Sequence, residues 1–430
     1  MKRKMVSVML AAATICMLTV CGNVGTEIVA EAAEGSTTDG EGVDFSGVTL
    51  KWYFGTGISE DMVNQIIVDF KEETGATIEW ESAGEGTSVL KSRFAAGEAP
   101  DVFALEGSLD TLSEWKDYLY DLSDESWVDV VYDSAKTAGT LDGQLLALPY
   151  SSEACGIIYN KDLFEQAGIT EIPDTLTELE EACKKLEDAG IQAFGETYMV
   201  YGFAMHALSA EFAYELELNP DVVEGLYNKE NSLNDFSITE NWYKYIDLTL
   251  DYGLGKNSIT YSADDQIADF ASGKIAMIKQ GTWLADTILK TNPDINFGLM
   301  AIPLTDNEEE TKLMVSSATN VLCVYKDSEN LDAALYFIQW FVENAETYLV
   351  ELGDIAPPFE GVDTSSLSAL NQDMNQYISD NKAFDGFGME DWPTGFTEDL
   401  LAPIQAYCAG QADAEATNEA LTEKFYTRLD

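Results

Sequence analysis

Carboxylates outnumber every other side chain in this sequence that could do chemistry. Of 430 residues, 77 are Asp or Glu, against 23 Lys or Arg and a single histidine, His206. A Ser-His-Asp or Cys-His relay would have to be built on that one imidazole. It lies in an apolar stretch, Ala204-Met205-His206-Ala207-Leu208, where a packed structural role is the plainer expectation. The sequence has no His pair, EF-hand-like loop, G-x-G-x-x-G or Walker loop, so no metal and no other cofactor is expected. Two carboxylates suffice for glycoside hydrolysis, and the abundance of acids leaves a glycosidase open. Carboxylates combined with flat rings suit a different task. The C–H faces of a pyranose stack on Trp and Tyr, while carboxylates and amides hold its hydroxyls. The same groups would also hold a polyamine or other cation.

The rings differ in what surrounds them. Trp52, Trp80, Trp115, Trp242 and Trp340 fall on strand or helix faces and read as packing. Trp283 follows a Gly281-Thr282 turn instead. Tyr150-Ser151-Ser152-Glu153 forms a polar and aromatic cluster between two apolar runs, with no reason on fold grounds to be buried. The run before it starts at an Asp142-Gly143 turn and is ended by Pro149, which cannot donate to a ladder. The run after it, Ala154 to Tyr159, leads to Asn160-Lys161-Asp162 at the start of a helix. Thr175 and Glu178 then have capping-box spacing for a helix to Leu186.

Upstream, Val48 to Phe54 reads as a strand, and Ser59 caps a helix with Glu60 and Asp61 in its first turn. Val63, Ile66, Ile67 and Phe70 form the apolar stripe of that helix, and Gly75 stops it. Ala76 to Glu81 is a second strand, and a short helix from Val89 to Ala96 precedes a third at Pro100-Asp101-Val102-Phe103. This βαβ series predicts a parallel sheet with right-handed crossovers. Farther on, Ser262 caps a helix carrying Ile267 and Phe270, which runs into Gly273-Lys274-Ile275-Ala276-Met277 and then Gly281-Thr282-Trp283.

Three of these stretches, Leu-Pro…Glu…Tyr-Asn-Lys-Asp-Leu-Phe, Pro-Asp-Val-Phe and Phe-x-x-Gly-Lys-x-Ala-Met…Gly-Thr-Trp, resemble the family 1 extracellular solute-binding proteins. That group includes maltose-binding protein and feeds sugar importers. The resemblance runs across nearly the whole mature chain and implies an α/β, two-lobed periplasmic-binding-protein-like fold. Each lobe would be a mainly parallel sheet flanked by helices, with strands crossing near Glu153 and again near 301–318 as the hinge. It also implies a non-catalytic monomer that captures a carbohydrate between the lobes and delivers it to an ABC permease. Trp283 matches the family's cleft tryptophan, and Glu153 falls on a sugar-binding carboxylate. Tyr150 beside it either stacks or walls the hinge. Glu106 sits in a loop that supplies ligand contacts, and Glu196 and Tyr198 lie near a second Glu/Tyr contact. Trp392 and Asp391 fall in a late aromatic segment. Thr56 and Glu85 follow the first two strands, where cleft loops occur.

The chain opens with Lys2, Arg3 and Lys4 ahead of an apolar run to Val20, a secretory form too short to span a bilayer. Leu18-Thr19-Val20-Cys21-Gly22 resembles a lipoprotein box with Cys21 as the lipidated residue, although Val20 stands where a small residue is usual. Ala30-Glu31-Ala32 offers ordinary cleavage after Ala32 instead. Either route exports the protein, and lipidation would hold it at the outer face of the cytoplasmic membrane. The expected order is a signal over 1–21 and an acidic tether over 22–44. Lobe I then covers 45–152 plus about 303–350, and lobe II covers 153–302 plus about 351–430. A net charge of −54 disfavours nucleic acid and anionic membrane surfaces as partners. Cys155, Cys183, Cys323 and Cys408 have no metal-ligand spacing and read as buried thiols, with one disulfide left open.

Overall fold

The computed structural model describes residues 43–54, 59–82, 87–316, 320–389 and 392–429. The signal segment, Cys21, the Ala30-Glu31-Ala32 site and nearly all of the tether lie outside those residues, as do Thr56, Glu85 and Asp391.

In chain order the strands begin with β1 (Thr49–Phe54), β2 (Thr77–Ser82), β3 (Val102–Glu106), β4 (Thr140–Leu141), β5 (Gln144–Leu145) and β6 (Leu148–Pro149). They continue with β7 (Glu153–Asn160), β8 (Gln192–Phe194), β9 (Ile275–Gly281) and β10 (Phe297–Met300). The last are β11 (Leu313–Ser316), β12 (Asn320–Val324) and β13 (Ala383–Asp385). Apart from a small β4–β5 pair they make two sheets. One has the order β2-β1-β3-β12-β6, and the other β13-β11-β7-β9-β8 with β10 also on β7.

Both sheets are mixed, which corrects the expectation of mainly parallel pairing. β1 runs parallel to β2 and β3, but β12 is antiparallel to β3 and β6. In the second sheet β7 is antiparallel to β9, β10 and β11, while β8–β9 and β11–β13 are parallel. The physical reason lies in β7 and β12. Each enters from the other sheet at the edge where its neighbour ends, Cys155 opposite Gly281 and Asn320 opposite Glu106, and so runs against that neighbour. β10 and β11 both pair with β7, so the chain leaves the second sheet only after Ser316.

Local signals decide the ends of the elements. Ser59 accepts a hydrogen bond from the Met62 amide at 3.4 Å and caps the helix Glu60–Thr74, which Gly75 closes at φ +76°. Asn160 caps Lys161–Gln166 by accepting from the Leu163 amide at 3.0 Å. Thr175 accepts from the Glu178 amide at 3.1 Å, while the Glu178 carboxylate reaches past it to the Asp174 amide at 3.0 Å. Beneath β1, Leu50, Trp52 and Phe54 meet Ile66 and Phe70 on one helix and Phe337 and Phe341 on Leu331–Glu343. Trp52 stacks on Phe54 at 4.4 Å, and Phe337 sets an edge against Trp52 at 5.2 Å. β7 is buried at every position after Glu153, as a strand covered on both faces must be. Cys155, Cys183, Cys323 and Cys408 are all buried and free, so no disulfide joins them. Among the described residues no helix is long and apolar enough to cross a membrane.

Candidate ligand-binding site

A cleft of about 640 Å³ opens where the chain crosses between the sheets. Tyr150, Ser151, Ser152 and Glu153 form one wall, on the link from β6 to β7. Thr282, Trp283, Asp286 and Lys290 follow the end of β9, and Asn320 opens β12. Ser59 and Asp61 come from the start of the helix Glu60–Thr74, and residues 351–356 with Asn371 complete the lining. The cleft therefore takes side chains from both sheets and from stretches where the chain passes between them.

Each wall is held by identifiable bonds. Thr282 Oγ1 accepts from the Ala154 amide at 3.1 Å and ties the end of β9 to β7. The Ser152 amide donates to the Ala356 carbonyl at 2.7 Å, and Asn371 Nδ2 donates to the Asp354 carbonyl at 2.8 Å. Asp354 itself has φ +51° and accepts from the Ser368 amide at 2.6 Å; burial pushes its carboxyl above the usual range. The lining is acidic, with Asp61, Glu153, Asp286, Glu351 and Asp354 against Lys290, whose ammonium pairs with Asp286 at 2.6 Å. That field suits neutral or cationic solutes and opposes anionic ones.

Of the residues expected at a site, Trp283, Glu153 and Tyr150 line this cleft. Trp283 sits in the turn between β9 and the helix Ala285–Thr291, partly exposed. Glu153 is the first residue of β7 and is also partly exposed. Tyr150 differs from the expectation of an exposed cluster. Only 2% of it is accessible, and its ring packs against Phe54 at 5.2 Å and Phe341 at 6.3 Å. Burial and the neighbouring Glu153 carboxylate push its phenol far up, so it stays neutral. Tyr150 walls the cleft with its rim and belongs mainly to the core. Glu106 ends β3 opposite Asn320 in the ladder, which brings its backbone beside a lining residue.

The others lie elsewhere. Trp392 packs edge-on against Phe212 at 5.0 Å and Phe396 at 5.2 Å, inside the helical layer over the second sheet. Tyr198 is fully buried, its hydroxyl 3.2 Å from Thr249 Oγ1. Glu196 is buried under β9, where it accepts from the Lys279 backbone amide. Burial raises its carboxyl to about 7, with the Lys279 ammonium opposing. The structure places these three in the interior, away from the cleft lining. Their polar types gave no sign of that. Asp391, Thr56 and Glu85 lie outside the described residues.

Sequence reading missed Ser59, Asp61, Asn371 and the 351–356 segment as cleft residues. Ser59 and Asp61 carried a usable signal, since they open the helix that follows the first strand. It also missed what His206 touches. The imidazole stacks on the Trp283 indole at 5.2 Å and 29°, and Phe387 sets its edge against both rings. Burial first, and the Lys279 ammonium second, hold the imidazole well below its usual value, to about 3. The ring is therefore neutral at pH 7. Among the described residues, no group of three or more His, Cys, Asp or Glu side chains could hold a metal ion.

Comparison with known proteins adds ancestry to this geometry. The model of a family described as bacterial extracellular solute-binding protein matches residues 57–348. A binding protein of Brucella abortus is 31% identical over 172 residues, 38% of this chain and 39% of that one. The chain thus matches about two-fifths of that relative's length. The multiple sugar-binding protein of Streptococcus mutans is 22% identical over 68% of this chain and 70% of its own. Among solved structures, the apo form of RafE from Streptococcus pneumoniae is similar with a TM-score of 0.74. It is 19% identical and covers 91% of this chain and 100% of that one. A RafE structure in complex with raffinose gives 0.73 at 20% identity, over 89% of this chain and 100% of that one. At such identities the structures speak for the fold, two lobes built of sheets flanked by helices.

Proposed function

The chain belongs to the family of bacterial extracellular solute-binding proteins, and from that premise we propose that it captures an oligosaccharide in the cleft and delivers it to an ABC permease. The observation that carries the reading is that Trp283 and Glu153 line one cleft to which both sheets contribute. A pyranose face would stack on the Trp283 indole, and its hydroxyls would be held by Glu153, Asn320 and Asn371. The sugar-binding names of the relatives support the same ligand class.

The chain passes between the lobes at 150–152, again between Ser316 and Asn320, and a third time near 351, and short links of this kind are suited to act as hinges. The lobe division that fits these links is 45–152 with about 320–350, and 153–316 with about 351–430. Ligand that touches both lobes only when they close shifts the population to the closed form, which then docks on the permease. No bond is made or broken in the cycle. The protein acts as a monomer, exported and held by a lipid on Cys21, with 22–44 as the tether. A second reading rests on the acidic lining: a polyamine would pair with Asp61, Glu153 and Glu351 and lie over Trp283.

Thermal melting of the protein against raffinose, maltotriose, other mono- and oligosaccharides, spermidine and putrescine tests both readings. Ligand at a hundredfold over Kd stabilises the native state by about 2.7 kcal/mol. A rise with an oligosaccharide that is recovered intact is the expected outcome. A rise with polyamines alone favours the second reading. A sugar recovered cleaved overturns the binding-only account and points to two carboxylates acting as a glycosidase.

A further inference from the structure

Trp283 is held on several sides at once. Its Nε1 donates to Gln280 Oε1 at 3.2 Å; Gln280 Nε2 donates to Gln266 Oε1 at 2.9 Å; Gln266 Nε2 donates to the Gly195 carbonyl at 2.7 Å. Gln266 is fully buried and Gln280 nearly so, so this chain of amides runs from the indole into the layer beneath β9. One indole face is backed by the His206 ring at 5.2 Å and 29°, within the range of offset stacking. Phe387, itself buried, presents its edge to His206 at 5.9 Å and to Trp283 at 6.4 Å. Gly281 supplies the remaining condition. A Cβ there would collide with Cζ3 and Cη2 of the indole and with the Ala154 carbonyl, so only glycine lets the ring fold back over the strand end.

A side chain fixed in this way loses little freedom when a ligand settles on it, and preorganisation of that kind raises affinity without any new contact. We propose that His206, Gln280 and Gln266 are positioning residues that hold the Trp283 indole as a fixed stacking platform, the imidazole backing its face and the two amides pinning its edge. The proposal rests on the ligand-binding reading of the cleft and adds the residues that tune it without touching ligand.

The test separates the two claims. The protein is labelled with 5-fluorotryptophan, and the Trp283 resonance is assigned by its loss in Trp283→Phe. In the ligand-free state it is expected to be a single narrow line. His206→Leu keeps apolar volume but removes the stacked ring, and the line should broaden or split. His206→Phe restores a ring and should restore the narrow line. Gln280→Leu should broaden it as well, by releasing the edge. Raffinose titrated calorimetrically should bind about threefold to tenfold more weakly in His206→Leu, and like wild type in His206→Phe. A Trp283 line equally narrow in wild type, His206→Leu and Gln280→Leu overturns the proposal. So does a raffinose affinity that is the same in His206→Leu as in wild type. Failure of wild type to bind raffinose counts against that ligand, and the fluorine lines then decide the platform by themselves.

Discussion

Both halves of this molecule bury apolar side chains, but the second also buries several charged and amide groups. Around the first sheet the interior is ring on ring, with Trp52, Phe54, Phe70, Phe337, Trp340 and Phe341 in mutual contact. Asp101 is its main buried charge; it accepts from the Lys51 amide at 2.7 Å and from Ser328 Oγ, joining β1 to the chain that follows β12. Around the second sheet Glu196, Glu211, Glu215, Lys279, Gln266 and Gln280 all lie inside. The half that carries Trp283 thus builds its interior partly from polar groups, which cost stability unless every partner is met. In return those groups fix directions, as the Gln266–Gln280–Trp283 chain does. An apolar core gives stability, and a polar one gives aim.

The contrast is sharpest in mutants. Phe337→Ala in the first half should cost about 3–5 kcal/mol by leaving a cavity among four rings. Denaturant melts at pH 5.5 and 8.5 should give the same loss, since the four rings around Phe337 do not titrate; a loss that changes with pH would blur the distinction. Glu211 tests the second half. Its carboxyl accepts from Thr239 Oγ1, yet burial chiefly, and Glu215 further, raise it from 4.5 to about 8. Between those values the native state keeps a proton that the unfolded chain has released. The stabilisation is therefore complete below about 4.5 and is lost as pH rises through about 8. Glu211→Gln should flatten that fall, by about 2–4 kcal/mol between pH 5 and pH 9. An unchanged slope would show that Glu211 does not set the pH response.

Legibility in the sequence follows the same division. Caps and stripes were readable because they act within one turn: Ser59, Asn160, Thr175 and Ser262 all cap as their spacing implies. Trp283 could be singled out because a Gly-Thr turn removes it from any regular face. Tyr150 misled, since its polar neighbours suggested solvent, while its ring fills the gap between Phe54 and Phe341. Glu196 and Trp392 misled for a deeper reason. What buries them is contributed by Lys279 and Phe212, residues far away in the chain, and no local pattern encodes such a meeting. The His206–Trp283 stack and the return of residues 351–356 to the cleft were hidden in the same way. Mixed pairing in the sheets was also out of reach, because strand direction depends on which lobe the chain has just left.

The central claim, that Trp283 is the platform on which a sugar is captured between the two halves, is tested most directly by one calorimetric comparison. The oligosaccharide that raises the melting temperature most is titrated into wild type and Trp283→Ala. The account predicts a single site in wild type, weakened about tenfold to a hundredfold in the variant while its ligand-free melting temperature stays within a few degrees. Equal affinity in the two proteins would contradict it and move the binding site away from this cleft wall.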